Sequence, residues 1–257
     1  KELASKIEFR QQFQTLAHIA NTSKKENDAI KNWTKNTTKK APKIFNVLAL
    51  VFPILFATSL IGWFFNLHSV FPKLAMFFFS SNLAIFGVFS KYVLQEIGKS
   101  DKISFSLQQY SKMIRYFNET KFESDYLNNI QSDLKKNSTA NEALSELSGI
   151  FEKLNTIANL FVFIAFNGVF QYHFWVYRKL QIWKIKHIAS VWNWVEVVGK
   201  IEALNSIANY AYNNSEYVYP QITSDKLQFE NLGHPLLNKN KRIRNSIDFN
   251  NQKFVIL

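Results

Sequence analysis

The chain has 257 residues, enough for one large domain or two modest ones. It has no cysteine, which excludes a disulfide scaffold and a cysteine-ligated zinc ribbon and fits a reducing, cytosol-facing compartment. Seven glycines and five prolines argue for long helices over short-stranded sandwiches; a net charge of +12 favours anionic partners, though it also simply keeps a chain soluble, and twenty-five phenylalanines need a large core or lipid.

Residues 1–20 carry Leu3, Ile7, Phe9, Phe13, Leu16 and Ile19 at helical spacing. The pattern starts inside a helical repeat with no signal-peptide layout, which suggests a fragment whose natural N-terminus lies upstream. A polar stretch, 21–43, ends in the basic cluster Lys35, Lys39, Lys40 and Lys43. Between Lys43 and Lys73 there is no formal charge, and 44–65 is long enough to cross a hydrocarbon core of about 30 Å at about 1.5 Å per residue. Residues 66–72 form a short polar turn. A second apolar run, 74–94, has one charge, Lys91, near its end, where a lysine can snorkel. Pro53 and Gly62 are tolerable in a membrane helix.

The two runs predict a transmembrane hairpin over 44–94. The other reading, a buried apolar pair in a soluble protein, is disfavoured by the length and by the lack of a polar face. Lys31, Lys35, Lys39, Lys40 and Lys43 precede the hairpin, and Lys91, Lys99 and Lys102 surround its exit, whereas the turn has only Lys73. By the positive-inside rule both ends face the cytoplasm.

Beyond the hairpin, 103–118 and 122–136 predict two amphipathic helices. Thr139-x-x-Glu142 forms a capping box that opens a third, running through Leu144, Leu147, Ile150, Phe151 and Leu154. The charge-free stretch 154–177 is a third span candidate on charge alone. Asn155, Asn159, Asn167, Gln171 and His173 interrupt it and favour a buried soluble helix. A tryptophan-rich helix then extends through Trp192 and Trp194 to Tyr212. Residues 226–232, 242–249 and 253–257 are short and strand-like, as if a new α/β domain began there.

Gly98-Lys99-Ser100 matches the end of a phosphate-binding loop, but Val93 stands where the pattern needs a glycine, so it reads as a polar helix flank. His18, His68, His173, His187 and His234 show no metal-ligand spacing. The run 177–187 interleaves Arg178, Lys179, Lys184, Lys186 and His187 with aromatic residues. It is either a nucleic-acid or anionic-lipid patch, or an amphipathic helix with Leu180, Trp183 and His187 inside and solvated lysines outside.

Three C-terminal pieces carry a family resemblance: VGKIEALNSIANYA at 198–211, YVYPQI at 217–222 and ENLGHPLL at 230–237. In order and content they resemble the passage from the lever helix into the ATPase domain of MutS proteins, and Asn245, Asp248 and KFVIL at 253–257 continue it. FNGVF at 166–170, RKLQIWK at 178–184 and EFRQQF at 8–13 are similar to core helices of short, membrane-associated MutS-related proteins of the Bacteroidota type. The inserted hairpin departs from the soluble mismatch-repair proteins, which puts a standard repair role in doubt. Phe117-Asn118-Glu119 spells the family's mismatch-probing F-x-E, but outside its usual domain and context, and chance accounts for it.

The resemblance implies a mainly α fold: a long-helix core and lever body with an inserted transmembrane hairpin, followed by the first strands of a C-terminal α/β ATPase domain. The segments would be 1–43 and 95–221 for the helical body, 44–94 for the hairpin and 222–257 for the start of the ATPase domain. His234 and Pro235 would lie beside the nucleotide pocket, Arg242 would stack on adenine where relatives use an aromatic, and Asn245 would shape the pocket from the strand side. ATP and Mg2+ would serve the complete protein; this stretch, without the phosphate loop, should hold neither and should be inactive. Expected partners are DNA, membrane lipid around 44–94, and a second copy through the absent ATPase domain, at a bacterial cytoplasmic membrane with the body facing the cytoplasm. The competing functions are a membrane-bound structural or signalling module on a MutS scaffold and a multi-span transporter-like protein.

Overall fold

A computed structural model describes residues 1–20, 23–35, 41–97, 100–135, 140–222, 227–238 and 240–249. Lys39, Lys40, Gly98, Lys99, Thr139, Lys226 and the strand expected at 253–257 lie outside the described residues. The fold is mainly helical. In chain order it runs α1 (Glu2–Ser5), α2 (Ile7–Ala20), α3 (Lys24–Lys35), α4 (Ile44–Phe64), α5 (Phe71–Ile97), α6 (Ser100–Glu119), α7 (Asp125–Lys135), α8 (Ala140–Asn155), a 3-10 turn (Thr156–Ala158), α9 (Leu160–Phe170), α10 (Tyr172–Asn213), β1 (Gln228–Leu232) and β2 (Asn245–Asp248). Two compact units result, Lys1–Asn213 and Asn214–Leu257.

The polar stretch 21–43 contains a helix that its composition concealed. Ser23 and Glu26 cap α3 reciprocally: the Ser23 N–H donates to the Glu26 carboxylate (2.8 Å), and the Glu26 N–H donates to Ser23 Oγ (3.3 Å). That helix buries Ile30 and Trp33 against the body.

Helices α4 and α5 are both long and apolar enough to cross a membrane, with mean hydropathies of 2.4 and 1.4 in their most apolar windows. Only 17% and 22% of those windows lie inside the protein, so the pair is not its buried core. Ile44, Ile54, Ile61, Phe64, Met76 and Phe77 are instead exposed. The two helices pack on each other, and Gly62 leaves room for the Phe71 ring that a Cβ would fill.

The core lies mainly in α2, α6, α8 and α10, joined by Phe86, Phe89 and Val93 from the last part of α5. Phe9 stacks on Tyr116 and meets Phe122 edge-on, and Phe13 and Phe117 are fully buried beside them. This buries the ring of the F-x-E tripeptide, leaving it unable to probe a base.

Residues 154–177 do not form the single buried helix expected. The chain leaves α8 at Asn155, bends by 106° and starts α9 at Leu160, where the Asn159 side chain caps Val162 N–H (3.1 Å). It then breaks again at Gln171, whose φ of 54° is left-handed, and restarts as α10. Leu160, Phe161 and Phe170 are exposed. At 11 residues, α9 is also too short for a complete crossing, reaching about 16 Å at about 1.5 Å per residue.

The first turn of the chain is tied to the 120s by charge. Glu2 accepts the backbone N–H groups of Glu123 and Ser124, both at 2.9 Å, at the approach to α7. Burial disfavours its charged form, but these two donors and the Lys6 ammonium outweigh that and hold the carboxyl below its ordinary value. A depressed carboxylate contributes stability that is present above its unfolded value and is lost as pH falls through the folded one. The detergent-solubilised protein should therefore lose melting temperature on acidification, and Glu2→Gln should flatten the part of that loss below the ordinary carboxylate range. An identical acid profile in the variant would show that Glu2 does not supply it.

Candidate functional site

The 42 residues of α10 carry the basic half of the residues expected to act. Its periodicity sorts the basic run more finely than sequence spacing suggested. Leu180, Trp183, Lys184 and His187 all face inward, while Arg178, Lys179 and Lys186 are exposed. Positions 180, 183, 184 and 187 follow the i, i+3, i+4, i+7 stripe of a buried helix face. Lys184 is thus removed from the expected anion patch.

Its side chain is part of a buried junction. Lys184 Nζ lies 2.9 and 2.8 Å from the two oxygens of Glu96, the last acidic group of α5, with the side chains 10% and 3% exposed. Trp33 of α3 donates from Nε1 to the same carboxylate (3.4 Å) and places its ring 4.8 Å beneath the Lys184 ammonium. Next to it, Trp183 donates to the Ala143 carbonyl of α8 (2.9 Å). Burial first, and Lys186 second, push the His187 imidazole below its ordinary value. What remains exposed is Arg178, Lys179 and Lys186, interleaved with exposed Trp175, Ile182 and Ile185.

Glu96 and Trp33 were not singled out in the sequence. Two signals point to them: Glu96 is the single carboxylate of α5, and Lys184 occupies an inward position that only a countercharge makes tolerable.

The second unit holds the other four expected residues on one antiparallel β-hairpin. Register pairs Gln228 with Asp248, Phe229 with Ile247 and Leu232 with Asn245, with an irregularity between Phe229 and Leu232. Asn231 there has a φ of 52° and donates from its N–H to Ser246 Oγ (3.0 Å). His234 and Pro235 follow β1 in an exposed turn, where His234 Nδ1 accepts the Leu236 N–H (3.3 Å). Asn245 opens β2.

Arg242 is half-buried: its guanidinium lies 5.1 Å from the Tyr217 ring centroid and donates to the Tyr217 hydroxyl (2.5 Å). A Cβ on Gly233 would come within 2.6 Å of Arg242 Cδ, so glycine there permits the arginine to cross the hairpin. Arg242 Nε has no hydrogen-bond partner among the described residues. Among those residues no group of three or more His, Asp or Glu could hold a metal ion.

Removing one partner of a buried ion pair strands the other, at a cost of about 3–5 kcal/mol, whereas replacing both by apolar groups is often neutral. Lys184→Met should therefore destabilise by about that amount, and adding Glu96→Leu should recover most of the loss, as measured by thermal unfolding in detergent. Equal destabilisation by the single and double variants would show that no such pairing operates. No family model, curated protein or solved structure matches the chain.

Proposed function

We propose that this chain is the membrane-anchored helical body of a MutS-related ATPase, in which a long helix links an inserted anchor to a nucleotide-binding unit and to DNA. The observation that carries the reading is where the family-like pieces fall. The lever-like run 198–211 lies within α10, a continuous helix about 63 Å long at about 1.5 Å per residue. The pieces at 230–237 and 245–248 fall on β1, its following turn and β2, and two strands at this point agree with the first strands that the resemblance implies.

In this reading α4 and α5 span the cytoplasmic membrane with both ends inside, and nucleotide state biases the helical body between two arrangements. Arg242, its guanidinium already held by Tyr217, is the residue assigned to the adenine, with His234, Pro235 and Asn245 around it. ATP and Mg2+ would require the phosphate loop of the natural polypeptide. Arg178, Lys179 and Lys186 are the basic groups left to meet DNA phosphates or anionic lipid.

The second reading is a membrane-bound structural or signalling module on the same scaffold. The burial of Lys184 favours it, because it reduces the charge available for DNA.

Titration of the complete natural protein in lipid nanodiscs against matched, mismatched and branched DNA at several salt concentrations separates the two. The MutS-type reading expects ATP-dependent binding with a negative salt slope, and a several-fold loss of ATP affinity in Arg242→Ala. ATP binding without any DNA binding would select the structural module. Failure to bind ATP at all would remove the MutS reading.

A further inference from the structure

We propose that residues 159–178 form a re-entrant helical hairpin that dips to the middle of the bilayer beside α4 and α5 and returns to the face it entered, with the outer side of α9 against lipid acyl chains. The inference rests on the reading of α4 and α5 as membrane spans.

Contacts along α5 set the depth. Near its end, Ser90, Leu94 and Ile97 share a cavity of about 510 Å³ with Ile157, Ala158 and Phe163. Further in, Phe86 meets Phe163 (5.5 Å between centroids) and His173 (5.7 Å). Further still, Asn82 Nδ2 donates to the Gly168 carbonyl (2.9 Å), and Gln171 Nε2 donates to the Asn82 carbonyl (2.7 Å). The return path rises in the opposite order: Gln171 at Asn82, Tyr177 at Phe89 (5.3 Å) and Lys184 at Glu96. Thus α9 descends antiparallel to α5, and the start of α10 climbs parallel to it.

The register that places Tyr177 beside Phe89 and Lys184 beside Glu96 also puts Lys179 level with Lys91. Long basic side chains at that height suit the hydrocarbon boundary, where they can snorkel. From Lys91 down to Asn82 is about 13 Å at about 1.5 Å per residue, close to half of a core of about 30 Å. No Asp, Glu, Lys or Arg occurs between Lys153 and Arg178, so everything below that boundary is formally uncharged.

The surface of α9 fits hydrocarbon and not water. Its exposed residues are Leu160, Phe161, Ile164, Phe166 and Phe170, and it has no polar side facing out. A helix break at membrane depth is tolerable only when its backbone groups are satisfied within the protein. Two donors at the break are satisfied in this way. The Gln171 N–H donates to the Asn167 carbonyl (3.3 Å), and the His173 N–H donates to Asn167 Oδ1 (3.1 Å). Asn82, Asn167, Gln171 and His173 are all at most 1% exposed. Gly168 lets the Phe79 ring press against the tip where a Cβ would stand.

The chain has no native cysteine, so single cysteines in the whole chain, reconstituted in phosphatidylcholine vesicles, report without background. Ile54→Cys and Met76→Cys mark the spans, and Ile207→Cys marks the aqueous body. A thiol needs water to form its reactive thiolate. Cysteines at Phe161, Phe166 and Phe170 should react with a charged maleimide about ten-fold or more slowly than Ile207→Cys, matching the span markers. A fluorophore at position 170 should be quenched more by mid-chain than by headgroup nitroxide lipids. Lys186→Cys should be labelled from the same face as Lys35→Cys.

Fast labelling at 161, 166 and 170 with Ile54→Cys and Met76→Cys still protected would overturn the re-entrant hairpin and leave the anchor standing. Labelling of Lys186→Cys from the opposite face would make the segment a full crossing and overturn it equally. Fast labelling at every position would remove the anchor and the hairpin together.

Discussion

The contact between Glu96 and Lys184 is the constraint around which the helical unit is arranged. A carboxylate and an ammonium hidden from water are tolerable only in each other's company. The pair therefore forces the end of α5 and the first third of α10 to one point, with Trp33 of α3 closing over both. Around that point the parallel register of α5 and α10 follows: Tyr177 meets Phe89, and the helix break at Gln171 meets Asn82. Residues far apart in the chain are in this way locked at matching heights. A buried ion pair adds little net stability over an apolar contact, so its consequence here is placement.

Such placement matters for how movement could pass between the apolar helices and the far end of α10. The part of α10 bearing the junction is joined to two helices, with Trp183 bonded to α8 and Lys184 to α5. The exposed face over the same stretch alternates Arg178, Lys179 and Lys186 with Trp175, Ile182 and Ile185. Aromatic and basic side chains in that mixture are those favoured where a protein meets a headgroup layer. One helix therefore presents a locked inner face and an outer face of interfacial character, and only the outer one is available to anionic partners.

The small C-terminal unit follows a different logic. It has two short strands and no large apolar core among its described residues; an arginine laid across a tyrosine organises its turn. Gly233 is needed because Arg242 crosses close above it. The residues that the MutS resemblance brings to one nucleotide pocket, His234, Pro235, Arg242 and Asn245, all sit on this hairpin, so the proposed site depends on local strand pairing.

Much of the helical layout was legible in the sequence because it is a property of local composition. Long apolar runs, one charge-free and one with a single lysine, marked α4 and α5, and apolar spacing marked α2, α6, α7 and the later part of α10. Composition misled where polarity and position disagree. Lysine-rich 21–35 hid α3, although the Ser23-x-x-Glu26 capping box was there to be found. Asparagines and a glutamine in 154–177 suggested one buried helix, whereas Asn159 caps α9 and Asn167 and Gln171 serve the break that follows it. Lys184 was grouped with its solvated neighbours although its spacing placed it inside. By itself, the sequence determined which segments are long and apolar enough to cross a membrane and most of those that are helical, since both depend on neighbouring residues. Only the tertiary structure decided what the buried polar groups face, because the partner that makes each burial tolerable lies on another helix, 88 residues away for Lys184.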